Sequence, residues 1–165
     1  MSYNATYTTY GNKTTDEIAA LTGMQVGDSV FNTDYSEVEW YSGSTWLSNN
    51  SIQMVTSVVA VEGRCVYINA SGLAAFLNGS SVTYPYGIGV VQYGGAIGST
   101  IAVRICGIAR VQSLGGQTID QYARASGVNG QATNAAAPTT GCIGRNLNGS
   151  GSALFYCYLS FIERA

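Results

Sequence analysis

Any chemistry in this chain would have to come largely from carboxylates, because its 165 residues include no histidine. Histidine is the most versatile general base near neutral pH and the commonest metal ligand. Glu37 and Glu39 form the clearest pair, since on a strand they would share one face about 6.5 to 7 Å apart. Glycoside hydrolases use carboxylates at such a separation. No other residue supports catalysis there, and two glutamates on the solvent face of a hairpin are common, so we expect no enzymatic activity.

Other candidate sites are also weak. Asp28 and Asp34, with neighbouring carbonyl groups, could bind calcium, but the chain contains no Asp-x-Asp-x-Asp-Gly loop. The run from Gly87 to Gln92 resembles the start of a dinucleotide-binding loop, but the third glycine and the following helix are missing. The sequence therefore predicts no catalytic residue, no cofactor and no metal site.

The cysteines and the N-terminus indicate a protein that stays where it is made. Four cysteines lack Cys-x-x-Cys spacing and are predicted to be reduced core thiols, whereas disulfides would require an oxidising compartment: Cys65, Cys106, Cys142 and Cys157. Residues 1–10 are polar and no apolar run approaches eighteen residues, so neither a signal peptide nor a membrane span is predicted.

Charge is scarce and unevenly distributed. Charged residues make up only 10% of the chain and hydrophobic residues 46%, whereas about a quarter of a typical soluble domain is charged. The surface is therefore predicted to be polar but neutral, and partly buried against other subunits. Residues 1–40 include six acidic residues and one lysine, whereas residues 41–165 include six arginines and three acidic residues. These parts could pair within or between subunits, or both could be solvated. No basic cluster indicates nucleic acid as a partner.

The N-terminal residues 1–50 predict an arm, one short helix and a β-meander. Residues 1–13 have no helical period and indicate an extended arm, disordered alone or laid on a neighbour. Thr14 and Glu17 match a capping box at the start of a helix over Thr15–Leu21. Two strands and a turn toward a tryptophan follow: Ser29–Asn32, Glu37–Tyr41 and Trp46.

From residue 51 onward the chain consists of short apolar runs separated by glycine, asparagine and serine. Seven runs are predicted to be strands: Ile52–Val61, Arg64–Asn69, Gly87–Tyr93, Thr100–Gln112, Gln117–Ala125, Gly141–Leu147 and Ser152–Ile162. Ser71–Asn78 could be a helical turn. This spacing, with no long helix, predicts an all-β domain over 51–165, a small antiparallel sandwich or barrel.

Two of these strands carry more information. Alternation in Thr100–Gln112 predicts one apolar face and a second face with Arg104 and Arg110. The last strand is apolar on both faces, so it is either central in a sandwich or covered by another subunit. Tyrosines on its second face would suit an interface.

The aromatic residues of the meander are Trp40, Tyr41 and Trp46. They could dock onto another protein, stack on sugar rings or form the module's own small core. The sequence leaves these alternatives open.

Two stretches resemble known phage proteins. Gly-Asp-x-Val-Phe-Asn-Thr from Gly27 and Glu-Trp-Tyr-x-Gly-x-x-Trp from Glu39 resemble modules of tailed-phage virion proteins, found in tail fibres and in head decoration proteins. The cadence of glycine and valine from Gly87 to Phe161 is similar to that of the small β domain of phage capsid decoration proteins. Asn146 stands where that pattern usually has alanine.

This resemblance implies a structural virion protein that binds the outer surface of an icosahedral phage capsid as a homotrimer and reinforces contacts between capsomers. Its partners would be the major capsid protein and itself, without nucleic acid or membrane, after synthesis in the host cytoplasm. Residues 1–50 would dock on the capsid, or project outward in the reverse assignment, and 51–165 would trimerise. The alternative is a host-recognition fibre tip or a carbohydrate-binding β module. The expected capsid or subunit contacts are Tyr3, Tyr7, Tyr10, Trp40, Tyr41 and Trp46, and the expected trimer interface is Phe155, Tyr156 and Tyr158.

Overall fold

The computed structural model describes residues 7–77, 87–126, 129–137, 142–148 and 154–159. The chain divides into two compact units, Met1–Asn49 and Asn50–Ala165. The first contains a four-stranded sheet and a short helix, and the second contains two five-stranded sheets. The predicted all-β fold with an antiparallel sandwich is confirmed. Within the described ranges, no helix has the length and apolar character needed to cross a membrane.

The first unit is a mixed sheet with its helix between the first two strands. Its sheet order is β1-β2-β3-β4, with β1 parallel to β2 and the other pairs antiparallel. The elements are β1 Thr9–Lys13, α1 Thr15–Ala19, β2 Ser29–Asn32, β3 Glu37–Tyr41 and β4 Trp46–Leu47. The prediction of an arm that is disordered alone or laid on a neighbour is wrong for Thr9–Lys13, because this segment is β1 and pairs with β2 of its own unit. The segment carrying α1 provides the crossover that a parallel strand pair requires.

The helix begins at the predicted capping box. The Thr14 hydroxyl accepts the Glu17 amide at 3.3 Å, and the Glu17 carboxylate accepts the Thr14 amide at 2.7 Å. The bond from the Thr14 amide is the main reason that the pKa of Glu17 is lowered. The helix ends two residues before the predicted Leu21, and its fully buried Ile18 anchors it to the unit.

The second unit consists of ten strands in two antiparallel sheets. Their orders are β5-β9-β8-β6-β7 and β10-β14-β13-β11-β12. The strands are β5 Ser51–Val55, β6 Cys65–Ile68, β7 Ala74–Phe76, β8 Gly89–Val91, β9 Thr100–Arg104, β10 Gly107–Gln112, β11 Tyr122–Ala125, β12 Ala132–Ala135, β13 Cys142–Asn146 and β14 Leu154–Leu159. Each of the seven predicted runs contains or overlaps at least one of them, the run Ile52–Val61 overlapping β5. The helical turn proposed for Ser71–Asn78 is wrong, because β7 occupies part of that run.

One predicted strand is in fact two. Thr100–Gln112 divides into β9 and β10, which belong to different sheets. Gly107, with a φ of 74°, adopts the left-handed backbone at this corner. Arg104 is only 1% exposed, so its predicted position on a solvent face is wrong. The reason is that β9 is an inner strand with both faces covered, a case that alternation in a single strand does not reveal.

Apolar side chains cover both faces of the β5-β9-β8-β6-β7 sheet. On the face toward the other sheet, Cys65 and Val90 join a cluster with Val111 and Phe155 of the opposite sheet. The alternate residues of the same strands form a second cluster on the other face: Val66, Val91, Ile101 and Val103. The fold therefore has its main core between the sheets and a smaller core outside one of them.

Three of the four cysteines are core thiols, as predicted. Cys65, Cys142 and Cys157 are buried and form no disulfide. Burial raises the pKa of Cys65 to about 12, and burial first, then the other two thiols, raises that of Cys157. These groups therefore behave as small apolar side chains. The prediction is wrong for Cys106, which is exposed and donates from its thiol to the Asn50 side-chain oxygen at 3.2 Å.

The backbones of β13 and β14 approach each other closely in the second unit. A Cβ atom on Gly144 of β13 would overlap the Tyr158 carbonyl oxygen of β14, a backbone atom that no rotamer change can move. We expect Gly144→Ala to lower the free energy of unfolding by about 1 to 3 kcal/mol, as overpacking does. Gly115→Ala is the control, because nothing lies within 4 Å of a Cβ there. Chemical denaturation showing equal stability for both variants would contradict this packing.

Candidate functional site

The inner face of the first sheet is built around buried polar side chains. Asn32 and Glu39 are fully buried on β2 and β3. The Asn32 amide donates to the Glu39 carboxylate at 2.7 Å and to the Thr15 hydroxyl at 3.2 Å. Its carbonyl oxygen accepts the Asp34 amide at 2.9 Å. Because each of these groups has a partner, the polar cluster can be buried without a large desolvation cost.

Because of this arrangement, the two carboxylates that the sequence suggested as a pair are not both accessible to a substrate. Glu37 and Glu39 do share a face of β3, but it is the inner face, so the prediction of a solvent face is wrong for Glu39. A fully buried carboxylate held by the Asn32 amide is positioned to hold the hairpin together, not to meet a substrate. The absence of enzymatic activity stays a prediction.

The Asp28 carboxylate likewise accepts hydrogen bonds from other residues of the first unit. One carboxylate oxygen accepts the Thr8 amide at 2.7 Å; the other accepts the Gln25 amide at 2.9 Å and the Tyr10 hydroxyl at 3.3 Å. The Gln25 amide, followed by that of Thr8, lowers the pKa of Asp28 against the opposing effect of burial. Asp34 is also engaged, because it accepts the Thr15 amide at 2.8 Å.

These two aspartates therefore hold the chain in place, and the absence of a calcium site stays a prediction. Among the residues that the structure describes, no three His, Cys, Asp or Glu side chains come together in a group that could hold a metal ion.

Three of the aromatic residues predicted to make external contacts pack against one another within the unit. Trp46 is only 3% exposed. Its ring lies edge-on to Tyr10, with centroids 6.1 Å apart, and tilted against Tyr41 at 5.5 Å. The prediction of an external contact is therefore wrong for Trp46, which belongs to the unit's own core. Tyr10 and Tyr41 support that ring from two sides.

The opposite face of the same sheet carries apolar side chains into solvent. Phe31, Val38 and Trp40 are 36%, 56% and 37% exposed. Phe31 lies directly across from Val38, and Trp40 lies across from the half-buried Leu47. We call these four residues the outer apolar face. Exposed apolar side chains grouped in this way mark interaction surfaces in soluble proteins.

Of the predicted contact residues, Trp40 lies on this face, and Tyr7 is exposed elsewhere with its ring against Gly27. Tyr3 lies outside the described residues. The sequence analysis missed Phe31 and Val38. Their alternation with Asn32 and Glu39 indicates that the two pairs lie on opposite faces of the sheet. The prediction placed the glutamates on the solvent face, so Phe31 and Val38 fell on the buried face.

The proposed trimer strand, β14, points its side chains in two directions. Phe155 is only 1% exposed and lies in the main core, so its assignment to a subunit interface is wrong. Tyr156 is half-buried and Tyr158 is exposed, both on the outer face of the β10-β14-β13-β11-β12 sheet. Their role in a trimer interface stays a prediction.

A row of side chains crosses that outer face at the level of Tyr158. Ile108, Tyr158, Arg145 and Tyr122 are successive cross-strand partners on β10, β14, β13 and β11. We call these four residues the tyrosine–arginine row. The Arg145 guanidinium lies 4.6 Å from the centre of the Tyr122 ring and donates to its hydroxyl at 3.1 Å.

Arg145 is held by a second partner as well. It pairs with the Asp120 carboxylate at 2.5 Å. Tyr122 and then Asp120 raise the pKa of the guanidinium above its ordinary value. The row therefore presents a fixed cation, a carboxylate beside it and a free tyrosine ring.

The departure at Asn146 from the decoration-protein pattern has a structural explanation. Its side chain is buried at the end of β13. The amide donates to the side-chain oxygens of Gln117 at 3.1 Å and Asn134 at 2.8 Å, and to the Thr118 carbonyl at 3.0 Å. Alanine could make none of these bonds, which tie β13 to the polar segment before β11.

Comparison with known proteins relates the chain to a phage head structure by fold. The head fiber gp8.5 N base of bacteriophage phi29 superposes with a TM-score of 0.51 at 11% sequence identity, covering 69% of this chain and 98% of that chain. Identity this low shows a shared fold and nothing finer. No protein-family model matches the sequence, and comparison with curated proteins finds no significant match.

The hydrogen bonds at Asp28 predict a pH-dependent stability of the first unit. A lowered folded-state pKa means that the carboxylate stabilises the fold above its unfolded pKa of about 4 and loses that contribution as pH falls through the folded value. We expect Asp28→Asn to lower the thermal midpoint at pH 7, with the gap to wild type narrowing below about pH 4.

Tryptophan fluorescence can follow this transition, because both tryptophans of the chain, Trp40 and Trp46, lie in the first unit. Asp120→Asn, in the second unit, serves as the control. A gap between Asp28→Asn and wild type that stays constant down to pH 2.5 would show that Asp28 is not the titrating group.

Proposed function

We propose that this protein is a structural component of a phage virion that binds the outer surface of an icosahedral capsid as a homotrimer and reinforces contacts between capsomers. The fold shared with the phi29 head fiber base is the observation that carries the proposal. The resemblance of the sequence to decoration proteins supports it independently. A threefold assembly would match a threefold or quasi-threefold junction of a capsid, where several weak contacts add up to high avidity.

Capsid docking is assigned to the outer apolar face of the first unit. Its three exposed side chains include a tryptophan and a phenylalanine, the kind of large anchors that dominate binding energy at interfaces. The buried bond between Asn32 and Glu39 lies directly beneath and keeps the two strands in register. The unit also carries six acidic residues and one lysine. The complementary capsid surface would therefore offer an apolar pocket with a basic rim.

Co-sedimentation with undecorated capsids tests this assignment. We expect Trp40→Ala to weaken binding by at least about tenfold per site, since anchor residues commonly contribute 2 kcal/mol or more. The fold should persist, because Trp40 lies outside the core. Val26→Ala, an exposed apolar residue in the turn before β2, is the control and should bind as wild type does. Undiminished binding by Trp40→Ala would remove this face from the capsid contact.

Self-association is supported by exposed aliphatic side chains of the second unit. Val55, Val59 and Ile97 are all exposed. The segments that carry them run side by side, joined by backbone bonds between Ala60 and Gly95 and between Thr56 and Gly98, each 2.8 Å. In a chain with only 10% charged residues, such a patch favours contact with other copies.

Light scattering coupled to size exclusion tests self-association. We expect a mass near three chains for the wild type. A charge introduced by Val59→Asp would have to be desolvated in the interface, so this variant should shift toward monomer. Ile119→Asp, equally exposed but outside the patch, should retain the wild-type mass. A wild-type protein that stays monomeric at micromolar concentration would end the trimer proposal.

A further inference from the structure

The tyrosine–arginine row contains a polar and aromatic arrangement that the proposed capsid role does not use. The Tyr158 ring is 53% exposed and stands on a rigid inner strand of its sheet. Its cross-strand neighbour Arg145 leans away from it, onto the opposite neighbour Tyr122. One flat aromatic surface is thereby left open beside a fixed hydrogen-bonding group.

The ion pair made by the cross-strand neighbour Arg145 offers both donors and acceptors. Arg145 supplies guanidinium N–H donors, and Asp120 supplies carboxylate acceptors. Their side chains are 47% and 81% exposed, so much of this capacity faces solvent. Asp120 has a φ of 62°, a left-handed backbone that aspartate tolerates better than most residues. Its amide is bonded to the Asn146 carbonyl at 3.0 Å, which holds the carboxylate at this position.

Two ion pairs lie on this face. Arg145 is paired with Asp120, and Arg110, two residues along β10 from Ile108, lies 3.4 Å from Glu62. A strongly charged ligand would find no excess of the opposite sign in either pair. A ligand rich in neutral hydroxyl groups could use the same donors and acceptors without disrupting the pairs.

From this juxtaposition we propose that the tyrosine–arginine row binds a neutral glycan, with one sugar ring stacked on Tyr158 and its adjacent hydroxyls bonded to Arg145 and Asp120. The apolar C–H face of a pyranose packs on an aromatic ring, while its hydroxyls lie around the edge. Two neighbouring hydroxyls need a donor and an acceptor side by side, and the ion pair provides them. Ile108 extends the apolar side of the row toward β10 and would contact the next sugar of a chain.

A glycan fits this row better than a second copy of the protein does. A protein surface laid over Tyr158 would cover an ion pair that is now about half solvated, and burying such a pair costs free energy unless its hydrogen bonds are replaced. Sugar hydroxyls replace those bonds one for one, and the ring still buries apolar area. A flat β face with an exposed tyrosine meets both requirements without any rearrangement of the chain.

The proposal does not depend on capsid binding, because capsid docking is assigned to residues of the first unit. If the capsid role is wrong, the glycan array still tests glycan binding by itself.

An array of immobilised neutral oligosaccharides of glucose, galactose, mannose and N-acetylglucosamine tests the proposal, with sialylated and uronic acid glycans as the charged set. We expect the full-length protein to be retained on at least one neutral glycan. Tyr158→Ala should weaken retention by about three- to tenfold, as loss of one aromatic contact does. Tyr158→Phe should retain it, because the ring remains, and Asp120→Asn should weaken it. Leu114→Ala, an exposed apolar site elsewhere in the unit, is the control.

Several outcomes would overturn the proposal. One is the absence of retention on any neutral glycan, and another is retention confined to the charged set. Equal retention of wild type and Tyr158→Ala would show that the ring is not the platform. A change in the oligomeric mass of Tyr158→Ala without glycan would show that this ring contacts a second copy instead. Capsid co-sedimentation of Tyr158→Ala should match wild type, which separates this result from any failure of the capsid role.

Discussion

The hydrogen bond from the Asn32 amide to the buried Glu39 carboxylate decides which side of the first sheet meets solvent. Side chains alternate along a strand, so burying residues 32 and 39 necessarily turns Phe31, Val38 and Trp40 outward. A slip of one residue in β3 would turn Glu39 to the outer face, bring Val38 and Trp40 inside, and take this acceptor away from the buried Asn32 amide. The cost of losing a hydrogen bond to a buried amide therefore favours the observed register. An apolar surface on so small a unit is a consequence of its polar interior.

The second unit relies mainly on apolar burial, although it also buries a few polar side chains such as Arg104 and Asn146. Two cysteines, a phenylalanine and several smaller aliphatic residues fill the space between its sheets, and a second cluster covers the far side of one sheet. The other sheet is left with a face of tyrosines and paired arginines. The two units thus expose different chemistries, an apolar face in an acidic unit and an aromatic, charge-balanced row. Such a division suits a protein with two kinds of partner.

Sequence patterns predicted most of the strands and the helix start, but only part of the candidate sites. The capping box at Thr14 and the strands Ser29–Asn32 and Glu37–Tyr41 follow from local bonding and period alone, and the structure contains them. Trp40 was identified as a contact residue and is exposed, whereas Trp46, from the same motif, is core. Period-two alternation separates two faces but does not say which one is covered, because that depends on what packs against the sheet.

Composition and local spacing were sufficient to determine an all-β chain with a small N-terminal module and little charge, since these properties depend on residue type and neighbours in sequence. Only the tertiary structure decided that Thr100–Gln112 bends at Gly107 into two sheets, that Arg104 is buried, and that Tyr158, Arg145 and Tyr122 form one row. The physical reason is the same in each case. Strand pairing joins residues far apart in the chain, and burial is a property of the layer that covers a strand, which the strand's own residues do not encode.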